Sequence, residues 1–85
     1  MERYSLRFKR SVAKDLRKLP KQDITRILHR IQDLASEPRP PGCEKLVDRE
    51  VYRIRQGRYR ILYEIQDEVL VVLVIRMGSR DSVYR

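Results

Sequence analysis

Tryptophan is absent from this 85-residue chain, histidine and cysteine occur once each, and there are only three glycines and one phenylalanine. Each scarcity excludes something. A single thiol, Cys43, can form no internal disulfide, so a stapled secreted scaffold is ruled out and a reducing compartment is expected, with Cys43 as a packing residue. One histidine and one cysteine provide no clustered nitrogen and sulfur ligands, so neither a metal nor any other cofactor is expected. No apolar run approaches the ~18 residues of a membrane span, and charges from Glu2 onward exclude a secretory apolar core. A cytoplasmic protein without a membrane partner is the expectation. Acids are also scarce, at 12 Asp+Glu against 20 Lys+Arg, which leaves a net charge of +8. Such an excess points to a polyanionic partner and says nothing about fold.

What is present is enough for one small fold. At 85 residues there is room for a single core, and 41% hydrophobic residues place the chain among globular proteins. Residues 1–85 are expected to form one domain. Tyr4 to Phe8 alternates apolar and polar positions as a half-buried strand does. Ser11 is a candidate cap for a first helix, whose inward stripe is Val12, Leu16 and Leu19, with Lys14, Asp15, Arg17 and Lys18 facing water until Pro20 breaks it. From Lys21, the apolar set Ile24, Ile27, Leu28, Ile31, Leu34 and Ala35 predicts a second helix antiparallel to the first. His29 falls on its polar side.

Pro38, Pro40, Pro41 and Gly42 mark a loop from Glu37 to Glu44. Beyond it, Val51 to Arg55, Tyr59 to Gln66 and Val69 to Met77 read as three strands of a meander, separated by Gln56-Gly57 and Asp67-Glu68. The last of these is almost wholly apolar, as an interior strand would be, with the first strand a candidate for its free side. The predicted fold is therefore α+β: an N-terminal strand, an antiparallel helix pair, and three antiparallel strands completing a four-stranded sheet packed on the helices.

Basic residues are divided by type along the chain. Every lysine lies at or before Lys45, and every cation from Arg49 onward is arginine. With Gln56-Gly57 as the hairpin tip, Arg53 would face Arg60 and Arg55 would face Arg58, putting four guanidinium groups on one face. Like charges directly opposite cost about 0.2–1 kcal/mol per pair, so a fold gains nothing from this arrangement without an anion. Arginine suits phosphate because its planar fork donates two parallel hydrogen bonds. A polar tail follows Gly78 and adds Arg80 and Tyr84, the latter able to stack a base or bond a phosphate. On the arginine side, Leu62, Val71, Leu73 and Ile75 would form an apolar set with no helix to cover it, the mark of a partner surface.

The order of elements, together with Lys45-Leu46, the run Val51-Tyr52-Arg53-Ile54-Arg55, the run Arg58-Tyr59-Arg60-Ile61-Leu62-Tyr63, and the tail Gly78-Ser79-Arg80-Asp81-Ser82-Val83-Tyr84, resembles the RelE branch of the RelE/ParE toxin family over nearly the whole chain. The resemblance implies the toxin of a type II toxin-antitoxin system, an endoribonuclease that cuts mRNA in the ribosomal A site through attack by the RNA's own 2′-hydroxyl, without a metal. It implies a cognate antitoxin, the ribosome and mRNA as partners, a monomeric free toxin and a higher-order complex. By position, Arg60 and Arg80 would stabilise the transition state, Arg53 and Arg55 would hold the phosphate, and Tyr84 would order the substrate, with Lys45, Arg58, Arg76 and Arg85 as further RNA contacts. Well-known members carry lysine at the positions of Arg53 and Arg55. Arginine stays protonated, so no general base is assigned. The other branch of the family, toxins that act on DNA gyrase, is the alternative.

Overall fold

The computed structural model describes residues 3–46 and 50–79. Its elements run β1 (Ser5–Phe8), α1 (Arg10–Arg17), α2 (Lys21–Leu34), β2 (Glu44–Lys45), β3 (Val51–Gln56), β4 (Tyr59–Gln66) and β5 (Val71–Ser79). The strands form one mixed sheet in the order β1-β5-β4-β3-β2. As expected, β3, β4 and β5 form an antiparallel meander and β1 takes the free side of β5, in parallel.

The core forms where two periodicities meet. Val12 of α1 and Ile27, Ile31 and Leu34 of α2 pack on the alternate residues Tyr52, Ile54, Ile61, Tyr63, Ile65, Val72 and Val74. Both helices therefore lie on one face of the sheet. The opposite face carries the intervening residues, among them Arg53, Arg55, Arg60 and Leu62, and no helix of the described residues covers it. Tyr52 and Tyr63 stack at 5.9 Å between ring centroids, and the Tyr63 hydroxyl donates to the Pro38 carbonyl at 2.7 Å. Burial pushes the Tyr63 phenol above its ordinary value.

Several details depart from the sequence-based expectations. The sheet has five strands, because Glu44 and Lys45, at the end of the loop, pair with Arg53 and Tyr52; a two-residue strand has no period to read. The β4–β5 connection is Asp67 to Leu70 and not Asp67-Glu68 alone. Leu70 there adopts a positive φ of 53°, which its apolar character gives no reason to expect. The α1 N-cap is Lys9 rather than Ser11. The Ser11 hydroxyl instead donates to the Ile75 carbonyl at 2.8 Å.

That last bond belongs to a larger arrangement. Pairing of β1 with β5 ends at Phe8 and Val74, although β5 continues to Ser79. An uncovered strand edge leaves backbone donors and acceptors open to association. Here α1 lies along it: the Lys9 amide donates to the Val74 carbonyl at 3.0 Å, Ser11 serves Ile75, and the Met77 amide donates to Asp15 Oδ2 at 3.1 Å. Asp15, expected to face water, is buried at 8% exposure for this reason.

The proline-rich loop is tied down by Arg39. Its guanidinium donates to both Asp67 carboxylate oxygens, at 3.2 and 2.8 Å, and to the Tyr52 hydroxyl at 3.1 Å. The Tyr4 hydroxyl donates to Asp67 Oδ1 at 2.6 Å. The Arg39 hydrogen bonds, followed by that of Tyr4, hold the Asp67 carboxyl at about 2, below the ordinary 3.8. A depressed carboxylate stabilises the fold fully above its unfolded value, and that stabilisation is lost as pH falls through the folded value. Acid unfolding should therefore show a component between about pH 4 and pH 2 that Asp67→Asn removes. Circular dichroism against pH for the two proteins reads it directly, and identical profiles would refute the clamp.

Candidate nucleic-acid interface

The β3–β4 hairpin decides which side chains share the open face. Its observed pairs are Gln56 with Tyr59, Arg55 with Arg60, Ile54 with Ile61, Arg53 with Leu62 and Tyr52 with Tyr63. The two-residue tip is therefore Gly57-Arg58, not Gln56-Gly57. Gly57 has φ of 61° at the first central position, a conformation that glycine accepts without strain and that matches the right-handed twist of a hairpin. On the helix side, the buried Tyr59 fixes this register: its hydroxyl donates to Asp23 Oδ2 at 2.6 Å.

The shift moves each partner by two residues and so keeps the faces, since both registers join odd-numbered with even-numbered positions. Arg53, Arg55 and Arg60 stay together on the open face. Arg58 leaves it, as a correction to the four-arginine expectation. It sits at the tip, with its guanidinium 5.4 Å from the Tyr59 ring centroid and a 3.4 Å bond to the Tyr59 hydroxyl, which raises its already high pKa.

The three remaining arginines differ in setting. Arg55 is exposed and directly opposite Arg60, so two cations stand where paired Cβ atoms lie about 5 Å apart. Arg60 is only 7% exposed, and its partner on β5 is Gly78, which adds no side chain there. Arg53 is held by Glu44 of β2 through a 2.8 Å ion pair, its side chain 14% exposed. Glu44 was not foreseen as a partner. An acid beside Lys45, where the loop meets the sheet, was the only signal. Leu62, Leu73 and the buried Val71 lie on the same open face, as expected, while Ile75 falls at the bulge where the β4–β5 register shifts.

The other candidates are dispersed. Lys45 pairs with Glu50 at 3.2 Å. Arg76, across from Leu62, reaches around the β5 edge to within 3.6 Å of Asp15. Asp15 was also missed as a site neighbour; its signal was being the one acid among the cations of the first helix. Arg80, Tyr84 and Arg85 lie outside the described residues. No group of His, Cys, Asp and Glu among the described residues is arranged to hold a metal, and no described helix is long and apolar enough to cross a membrane.

Chemically, the open face offers an exposed guanidinium beside a mostly buried one, with a third tethered by a carboxylate. The buried group keeps a fixed direction, and the exposed one is free to meet an anion. Guanidinium groups so placed can donate paired hydrogen bonds to an anion from two adjacent strands.

The architecture is that of the RelE-like toxins. It overlays the toxin-antitoxin complex RelBE2 of Mycobacterium tuberculosis with a TM-score of 0.81 at 31% identity, covering 92% of this chain and 99% of that one. The archaeal RelE-RelB complex of Pyrococcus horikoshii OT3 overlays with a TM-score of 0.82 at 29% identity, covering 93% and 97%. In sequence, Toxin RelG of Mycobacterium tuberculosis is 35% identical over 86 residues, 96% of this chain and 97% of the relative. Residues 6–84 match the ParE toxin family of type II toxin-antitoxin systems, and the chain belongs to that family, as a toxin of the RelE/ParE superfamily.

Because Arg55 and Arg60 repel across the hairpin, Arg55→Gln should raise the stability of the free protein by about 0.2–1 kcal/mol. Urea unfolding measures this. A destabilised Arg55→Gln would show that the exposed guanidinium is structurally engaged and not reserved for a ligand.

Proposed function

We propose that this toxin is an endoribonuclease that cuts mRNA in the ribosomal A site and so arrests translation in the cytoplasm. The observation that carries the proposal is the placement of Arg55 opposite Arg60, with Arg53 alongside, on a sheet face that no helix of the described residues covers. In this reading the RNA's 2′-oxygen attacks the adjacent phosphorus and the bond to the 5′-oxygen breaks. The hydroxyl proton is lost, a proton is taken up by the leaving 5′-oxygen, and a cyclic phosphate remains. No metal-bound water takes part, because the nucleophile belongs to the substrate.

Charge accumulates on the non-bridging oxygens during attack, and fixed cations aimed there are worth about 3–4 kcal/mol each. Arg60 supplies this from its buried position, and Arg80 adds a second cation. Arg53 and Arg55 hold the phosphate, and Tyr84 orders the neighbouring nucleotide. Lys45, Arg58, Arg76 and Arg85 contact the RNA beyond the scissile bond. Arginine stays protonated at working pH, so the proton acceptor is not Arg53 or Arg55.

A cognate antitoxin neutralises the toxin in this reading, in line with the RelB partners of the solved neighbours. The half-buried Leu62 and Leu73 give it an apolar surface to cover. A second reading draws on the ParE name of the matched family: inhibition of DNA gyrase without RNA cleavage.

Induced expression followed by mapping of RNA ends separates the two. Arg60→Ala and Arg80→Ala should each lower cleavage by about 100- to 1,000-fold and abolish growth arrest, with fold and antitoxin binding retained. Full toxicity in both variants would remove the catalytic assignment. Inhibited supercoiling with intact messages would favour the gyrase reading.

A further inference from the structure

One buried charge has no part in the proposed cleavage. Asp15, the only acid of α1, is 8% exposed, and a carboxylate so placed needs several hydrogen bonds to offset its lost hydration. It has one. Oδ2 accepts from the Met77 amide at 3.1 Å, while Oδ1 accepts no hydrogen bond among the described residues, with Arg76 Nη2 standing off at 3.6 Å. Covering a strand-edge amide takes a single acceptor, which a neutral serine or asparagine supplies without burying a charge. The second oxygen is therefore surplus to the fold. Asp15 lines a cavity of about 280 Å³ together with Lys18, Leu19, Arg76, Gly78 and Ser79.

The lining restricts what this cavity can take. Lys18 and Arg76 set two cations against one acid, so a lysine or arginine side chain of a partner protein is disfavoured, although a free acceptor oxygen calls for an N–H donor. A ligand that meets both demands donates from a neutral group and carries its charge as an anion. A nucleotide is built in that way. The exocyclic amine of a base donates to a carboxylate oxygen, and the attached phosphate suits the two cations. The half-buried Leu19 gives the ring an apolar wall. Position agrees with chemistry. The cavity lies at the end of β5, where Gly78 pairs with Arg60 and Arg60 in turn faces Arg55. With strands about 4.8 Å apart, it is on the order of 5–10 Å across the sheet from that pair, and Gly78 raises no side chain in between. Arg76 spans the gap, since it pairs with Leu62 of the open face and its guanidinium approaches Asp15.

We propose that this cavity is a nucleotide site in which Asp15 Oδ1 accepts a hydrogen bond from an exocyclic amine of the base. Adenine and cytosine are thereby favoured over hypoxanthine and uracil, which present a carbonyl where those bases carry the amine. A single-stranded RNA and a free nucleotide share this chemistry. In an RNA, the base belongs to a nucleotide beside the phosphate held by Arg55 and Arg60, splayed out of any stack as single-stranded recognition requires. That placement rests on the ribonuclease reading; the amine contact does not.

Binding to ligands that cannot be cut tests this. The full chain is titrated with 2′-deoxy pentanucleotides, which lack the nucleophile, carrying adenine, hypoxanthine, cytosine or uracil throughout, and with the monophosphates of adenosine and inosine. The expected result is about tenfold tighter binding of adenine than of hypoxanthine and of cytosine than of uracil, the loss that follows when a buried acceptor meets a carbonyl. Asp15→Asn keeps an acceptor for the Met77 amide and offers a donor in place of the second oxygen, so both preferences should vanish or reverse. The comparison of bases on the wild-type protein stands even where that variant unfolds. Equal affinities within both pairs of bases overturn the proposal. So does saturable binding of a tetralysine peptide that Asp15→Asn abolishes, which would give the carboxylate to a basic protein segment. A preference stronger in the pentanucleotides than in the monophosphates places the bound nucleotide in a chain, and an equal one assigns the site to a free nucleotide with the amine contact intact. Because binding and not cleavage is read, failure of the ribonuclease reading registers separately, as intact RNA alongside an undiminished base preference.

Discussion

The register of the β3–β4 hairpin is the constraint on which the rest depends. With Gly57 supplying the positive φ and Tyr59 anchored to Asp23 from below, Arg55 can only stand opposite Arg60, and Tyr52 opposite Tyr63. The same pairing does two things at once. It sends Tyr52, Ile54, Ile61 and Tyr63 into the core under α2, and it sends three guanidinium groups outward. A slip by one residue would invert both faces, burying cations and exposing tyrosines, so the core energetically enforces the charge arrangement of the open surface. Repulsion across the hairpin is tolerated because the opposite side of the sheet offsets it.

Around this hairpin, the fold protects its weak edges with side chains from other elements. β5 is longer than its neighbour β1, and α1 covers the surplus through Ser11 and Asp15. β3 would otherwise border solvent where the two-residue β2 brings Glu44 beside Arg53. The proline-rich loop is held by Arg39 against Asp67 and Tyr52, which keeps the end of the sheet remote from the arginines closed. Each device leaves the open face free of helical cover among the described residues. That is the arrangement a small basic toxin needs if its ligand is to lie on the sheet.

Much of this was legible in the sequence, for identifiable reasons. Period-two alternation in Val51 to Arg55 and the three-to-four spacing in α2 reflect burial on one side, and burial dominated the folding outcome. The faces of Arg53, Arg55 and Arg60 were read correctly even though the tip was misplaced, because both candidate turns preserve parity. What could not be read depends on tertiary partners. Nothing local says that Asp15 will turn inward to meet a strand more than sixty residues away, that Leu70 will take a positive φ, or that Glu44 will form a strand long enough only to pair with Arg53 and Tyr52. Arg58 left the face because one residue of turn chemistry, a glycine in the first rather than the second central position, outweighed the more familiar reading of Gln56-Gly57.

The most direct measurement is a double-mutant cycle on Arg55 and Arg60, each replaced by Gln, with unfolding free energy determined in the absence and in the presence of a non-cleavable 2′-deoxy oligonucleotide. The expected result is a repulsive coupling of about 0.2–1 kcal/mol in the free protein that disappears or changes sign when the oligonucleotide is bound. Zero coupling under both conditions would contradict the claim that these two guanidinium groups converge on one anion.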